Sequence, residues 1–304
     1  MDTENLKKRK SGFYSVLNSK SALNILYLPV LVLFIFFLFY PFLKGVQISF
    51  TNWDGYSQDY NYIGFINYYR MFTNKDLLTV IYNTFVYGIG STIFQNVLGL
   101  AFALLLKNKT KFNSAARTVI YMPAIISGLI MGYIWYFIFQ SDGGALNDIV
   151  SFFGGSNVNF LSSTTANVWI ITGVNTFQFL GVSMVLYVAG LQNISQDYYD
   201  AADIDGATSF SRFRYITLPM LAPSITMSIV LNLIGGLKLY DVIWSLTGGG
   251  PGYSSCSLST MIYQLYFGRE DAGLASALGV LMFVIISLIS LISLNMLRKK
   301  EIVE

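Results

Sequence analysis

Six stretches of this chain are apolar and nearly free of charge over the length needed to cross a lipid bilayer. They cover 25–43 and then about 79–106, 118–139, 166–191, 222–246 and 273–297. A crossing helix takes about 20 predominantly apolar residues because the hydrocarbon layer is about 30 Å thick. Any one stretch would also suit a helix buried in a large soluble core. Six in one chain with 12% charged residues do not, since soluble domains carry about 25%. The expectation is an all-α, polytopic membrane protein with six transmembrane helices.

The first stretch follows the basic run Lys7-Lys8-Arg9-Lys10. It is longer than the apolar part of a secretory signal and no small-residue cleavage site follows it, so it reads as an uncleaved anchor. With the N-terminus inside, fourteen of the 19 lysines and arginines fall on inner segments. Four (Lys44, Arg70, Lys75 and Arg269) fall on outer ones, and Lys238 lies within a span. Basic residues in short loops stay on the cytoplasmic side. Both termini are therefore expected in the cytoplasm: a basic segment 1–24, a six-helix domain 25–297 and a short tail 298–304. The outer segment 44–78, rich in Tyr, Asn and Asp, is expected to pack as a small cap.

Several chemistries are excluded. The chain has no histidine, and Cys256, its one cysteine, can neither close an internal disulfide nor build a thiolate cluster. No lysine directly follows a glycine, so the G-x-x-x-x-G-K-[ST] phosphate loop is absent. ATP, if it drives this protein, binds another chain. The run Gly248–Gly252 resembles a phosphate loop in composition only and reads as a tight re-entry turn at the outer face.

The inner loop 192–221 is far longer than a minimal link. Ser195 is placed to cap a first short helix with Asp197 in its first turn. Gly206 suits the left-handed residue that ends it. Thr208 or Ser209 caps a second helix, and Pro219 closes the segment before the membrane is re-entered, with Pro223 in the next first turn. Ala201-Ala202 lets another surface come close, and Asp197, Asp200, Asp203 and Asp205 offer partners to Arg or Lys. Four acids facing an anionic leaflet argue against a hairpin lying on lipid. A cytoplasmic protein partner is the expected occupant.

At these residues the chain resembles a known family. The loop is similar to the Glu-Ala-Ala loop of binding-protein-dependent ABC transporter permeases, E-A-A-x-x-D-G-A-x(5)-F-x-x-I-x-L-P. Asp200, Ala201, Ala202, Asp205, Gly206, Ala207, Phe213, Ile216, Leu218 and Pro219 match it in order and spacing. Asp200 stands where the family usually carries Glu, keeping the charge with shorter reach. Tyr40-Pro41-Phe42, the segment 62–68, Asn83-Thr84, Arg117 with Met122-Pro123, and the segment 246–251 resemble the carbohydrate branch related to the maltose-transporter permeases.

That resemblance implies a type I ABC importer permease fold in the cell membrane. It implies no catalysis or cofactor in this chain, with ATP and Mg held by ATPase subunits. It also implies a homologous second permease and an extracytoplasmic sugar-binding protein on the outer loops. Asp200, Ala201, Ala202, Asp203, Asp205, Gly206 and Ala207 would form the ATPase-coupling helix, and a carbohydrate would cross by alternating access. Nucleic acid is not among the expected partners.

Charges within a span are costly and mark functional positions. Lys238 and Asp241, in the fifth span, are three residues apart and so lie on one helical face. They are then placed to pair, unless Lys238 snorkels to the interface. Asn232 lies upstream with Gly235-Gly236, where small residues leave room for a partner helix or a ligand. The fourth span adds Asn175 and Gln178, and Phe179, Tyr240 and Trp244 supply aromatic surface for a sugar. The same polar residues also suit ordinary hydrogen bonds between helices. Gly128-x-x-x-Gly132 permits close helix packing. An ion-coupled secondary transporter or channel is the rival reading, but it calls for more intramembrane charges and a visible repeat.

Overall fold

In lipid a chain must satisfy its backbone N–H and C=O groups within each segment, and the long apolar stretches do so as helices. The computed structural model describes residues 20–299; most of the basic N-terminal segment and the end of the tail lie outside them. Among the described residues the fold is all-helical, with one isolated β-bridge between Thr51 and Tyr62.

In chain order the elements are α1 (Tyr27–Ile48), α2 (Ile66–Thr73), α3 (Lys75–Leu105), α4 (Lys111–Ile125), α5 (Gly128–Phe139) and α6 (Ala145–Phe152). There follow α7 (Ala166–Gln192), α8 (Gln196–Ile204), α9 (Ser209–Met220) and α10 (Ala222–Leu237). The last three are α11 (Asp241–Thr247), α12 (Leu258–Tyr263), continued by a π-helical turn Gln264–Gly268, and α13 (Ala272–Arg298).

Four helices, α1, α3, α7 and α13, are long and apolar enough to cross a bilayer alone. Two pairs reach that length only together: α4 with α5 across a 99° bend, and α9 with α10 across a 65° bend. This corrects two sequence expectations. The third stretch, 118–139, is not one rod. Pro123 sits at the start of a 3-10 turn that closes α4, and the extended residues Ile126 and Ser127 separate it from α5. The fifth stretch, 222–246, is interrupted as well: α10 ends at Leu237, and the helix restarts only at Asp241. Gly235-Gly236, weak helix formers, directly precede that break.

Helix α7 packs along the second half of α3, and α11 along α5. One buried cluster joins Tyr87, Met131, Ile171, Val242 and Ile243 from four of these helices. A second, around Met71, Leu77, Cys256, Met261 and Leu278, ties α2 and α12 to α13. A third, with Ala103, Met184, Tyr187 and Leu221, lies beside the loop 192–221. Helix α1 touches this body chiefly through its C-terminal part, where Phe42 meets Phe283 at 4.7 Å.

Candidate functional site

The loop 192–221 folds as its capping residues dictate. Ser195 Oγ accepts from Asp197 N at 3.3 Å to start α8. Gly206 stops it at φ +72°, with Ala207 N donating to Ala202 O at 2.9 Å and Gly206 N to Asp203 O at 3.1 Å. These two bonds make a complete Schellman end. Thr208 Oγ1 accepts from Ser211 N at 3.2 Å and begins α9. The two helices are then locked to each other by an ion pair between Arg212 and Asp203 and by Tyr199 and Thr217 hydroxyls 3.0 Å apart.

The result is a rigid hairpin with two unlike surfaces. Ala202 is buried against its own chain, whereas Ala201, Asp200, Asp205 and Gly206 are exposed and Ala207 is half-buried. The alanine pair is thus divided, and only Ala201 offers close approach from outside. Asp203 is spent on the hairpin itself. Ile204 stands 87% exposed at the end of α8, with Phe210 at 76% on α9.

The second feature is built by the two broken helices. A methyl added at Gly128 would lie 2.8 Å from Asp241 Cβ, and one at Gly132 would lie 1.9 Å from Ser245 Oγ. The equal spacing shows α5 and α11 running side by side in the same direction, as close as the glycines permit. Both helices therefore restart at the same level, and their unpaired N–H ends sit beside the exposed carboxylate of Asp241. Partial positive charge at two helix N-termini favours an anion there. Lys238 caps the end of α10 across the break, so it and Asp241 do not share a helical face. The pair is not among the ion pairs of the described residues, Arg70–Asp271 and Arg212–Asp203.

Freed backbone groups at both breaks find side-chain partners. Gln178 Nε2 donates to Ile126 O at 2.9 Å across the α4–α5 bend. Ser257 Oγ donates to Leu239 O at 2.6 Å, and Ser259 Oγ to Lys238 O at 3.1 Å. The glycine-rich turn is knitted in as well. Asn167 Nδ2 donates to Gly250 O, Gln264 Nε2 to Gly248 O, Asn83 Nδ2 to Ser254 O, and Tyr87 Oη to Ser255 O. Irregular backbone is tolerated at membrane depth only when protein satisfies it in this way.

An aromatic groove opens at the fifth-span break. Tyr240 stacks on Trp244 with ring centroids 6.0 Å apart, and Tyr263 meets Trp244 at 4.8 Å and Phe267 at 5.0 Å. A cavity of about 670 Å³ lies over these rings, with Lys238, Ser259 and Tyr266 also in its wall. An adjoining cavity of about 380 Å³, lined by Trp244, Gln264 and Arg269, shares Tyr263 and Phe267 with it. Apolar ring faces with a few polar groups at the edge match the usual lining of a small-molecule pocket.

The structure thus brings Lys238, Tyr240 and Trp244 to one groove, with Asp241 beside it. Asn232 lies elsewhere, donating to Ser183 Oγ at 2.7 Å between α10 and α7. Gln178 braces the bend, and Asn175 is buried, its carbonyl accepting from Gln95 Nε2 at 3.0 Å. Phe179 is 36% exposed on α7 and lines neither cavity. Tyr263, Gln264 and Phe267 belong to the groove and were not singled out from sequence. Their signal is the Tyr-x-x-x-Phe spacing, which places both rings on one helical face.

A bundle of long apolar helices, two of them broken, with a capped loop hairpin and an aromatic groove beside one break, has the build of a multi-pass membrane protein. The model of the family described as binding-protein-dependent transport system inner membrane component matches residues 95–302, and the chain belongs to that family. It is 33% identical over 276 residues to the probable starch degradation products transport system permease protein AmyD of Thermoanaerobacterium thermosulfurigenes, covering 90% of this chain and 93% of that one. It is 32% identical over 292 residues to the multiple sugar-binding transport system permease protein MsmF of Streptococcus mutans, covering 94% and 98%. Among solved structures, a bacterial alginate ABC transporter in complex with an alginate pentasaccharide-bound periplasmic protein aligns with a TM-score of 0.80. The identity there is 25%, with 94% of this chain and 97% of that one covered. The fold is that of the type I ABC importer permeases.

Proposed function

We propose that this chain is a membrane-spanning permease subunit of an ATP-driven sugar importer, with six spans and both termini in the cytoplasm. The reading rests above all on the inner hairpin, whose capped helices hold Ala201, Asp200 and Ile204 outward on a fixed frame. An ATPase subunit takes α8 in a cleft, the ATP and Mg staying on that subunit. Closure of the ATPase then moves α8, and the ion pair to α9 passes the motion to α10 and the groove. The sugar stacks on Tyr240, Trp244 and Tyr263, with Lys238 and Asp241 at the break giving hydrogen bonds to its hydroxyls. Asn175, Gln178, Asn232 and Phe179 shape the helices around that path. A second permease completes it, and a sugar-binding protein delivers from outside; the relatives' names and the alginate complex support both the sugar and the delivery.

Gentle extraction of the tagged chain from its native membrane tests this. An ATPase and a second permease are expected to co-purify, and Ile204→Asp is expected to lose the ATPase. Purification of this chain alone, in a detergent that preserves known importers, would overturn the proposal. So would sugar uptake that survives ATP depletion.

A further inference from the structure

The outer segment between α1 and α2 carries a second set of aromatic rings on a rigid turn. The Asp54 carboxylate accepts from Tyr56 N at 2.9 Å, from Ser57 N at 2.8 Å and from the Ser57 hydroxyl. These bonds favour the ionised carboxylate and lower its pKa to about 2. The Trp53 indole donates to Ser57 O at 2.8 Å, which fixes that ring. From Trp53 the rings continue to Tyr60 at 6.1 Å and on to Tyr62 at 6.3 Å. Tyr62 is 64% exposed and Tyr60 37%.

The turn that carries this row packs against the wall of the groove. Gly273 N donates to Trp53 O at 2.9 Å, tying the turn to the start of α13. Gly55, at φ +99°, lies on Tyr266: a methyl there would be 3.6 Å from Tyr266 Cζ and 3.7 Å from its hydroxyl. Tyr266 lines the larger cavity and packs on Phe267 at 4.8 Å. The two aromatic sets thus meet through the Gly55 backbone, which lies between the turn that carries Trp53 and the Tyr266 ring in the wall of the cavity.

Resting on the sugar-import reading, we propose that Trp53, Tyr60 and Tyr62 form an outer carbohydrate subsite adjoining the groove. One sugar ring occupies the groove, and further rings of the same chain lie along this row. The favoured substrate is thus an oligosaccharide and not a monosaccharide. Exposed Asp59 and Asn61, placed among the rings, suit the hydroxyl edge of a sugar, whereas a lipid-facing aromatic belt has no use for an acid in its midst.

The test uses the importer purified with its native partners, in proteoliposomes with ATP inside. Labelled neutral glucose and pentose oligosaccharides, from monosaccharide to hexasaccharide, are offered to the unsubstituted protein first. Trp53→Leu, Tyr60→Leu and Tyr60→Phe are then compared at equal amounts of assembled transporter. In the Leu variants the uptake ratio of the longest to the shortest transported sugar is expected to fall about fivefold, the scale of one lost ring contact. Tyr60→Phe, which keeps the ring, restores the ratio. If Trp53→Leu does not assemble, the exposed Tyr60 carries the comparison. An unchanged ratio overturns the subsite. An equal fall at every length also overturns it, and points to a seat for the delivery protein. Uptake of monosaccharide alone by the unsubstituted importer sinks it as well. Uptake of no sugar at all would instead sink the sugar-import reading beneath it.

Discussion

Gly206 does the work at the residue scale that its neighbours cannot. Its φ of +72° lies in the left-handed region, and nothing lies within 4 Å of where a side chain would begin. A substitution there is opposed by backbone strain alone, about 1–2 kcal/mol for an ordinary residue and less for Asn. Gly206→Ala is therefore expected to loosen the end of α8 and reduce the ATPase recovered with the purified chain several-fold. Gly206→Asn should stay near the unsubstituted level. Equal losses in both would mean that the left-handed turn is not what the partner depends on. Residues of this kind were legible in the sequence, because a cap or a helix stop is a local matter: Ser195, Gly206 and Thr208 stand where the spacing put them. The supposed shared face of Lys238 and Asp241 was not. It assumed a continuous helix, and the break between them depends on Ser257 and Ser259, about twenty residues away, capturing the freed carbonyls.

At the scale of elements, apolar stretches reveal their length but not their straightness. The positions and type of the helices followed from charge-free length, and Gly128-x-x-x-Gly132 pointed to a close contact without saying that α11 would fill it. A bend within a span needs a partner for each carbonyl it releases, and that partner comes from another element. Asn83-Thr84 illustrates why the site was harder to see than the fold. In sequence it is a polar pair in an apolar run; in the structure Asn83 and Thr84 hold the 254–258 backbone, with Leu258 N donating to Thr84 Oγ1 at 2.8 Å. Gln178 tests the principle. It is 1% exposed, and its amide serves Ile126 O at the 99° bend. Gln178→Met, similar in length but without a donor, leaves that carbonyl unpaired at a cost of about 1–3 kcal/mol. The extracted protein is expected to aggregate at a lower temperature than the unsubstituted one, by several degrees. No shift would mean that water or a rearranged bend replaces the glutamine.

On the scale of the whole molecule, the hairpin and the aromatic row must lie on opposite sides of the membrane if the chain is to relay an inner event to an outer cargo. The four unbroken spans and two bent pairs satisfy this when each bent pair crosses once: α8 then lies inside, and the 53–62 turn and α6 lie outside. The chain supplies its own clean background for a direct check, since Cys256, its one cysteine, is fully buried. Single cysteines placed at Tyr56 and Phe152, 65% and 85% exposed, are expected to react with a membrane-impermeant maleimide on intact cells. A cysteine at Ile204 should react only after the membrane is opened, and its labelling should be suppressed when the ATPase is bound. Reaction of Ile204→Cys from outside would invert the topology and remove α8 from reach of any ATPase. Reaction of Phe152→Cys only from inside would mean that the α4–α5 pair turns back without crossing, leaving the groove without a path through the bilayer.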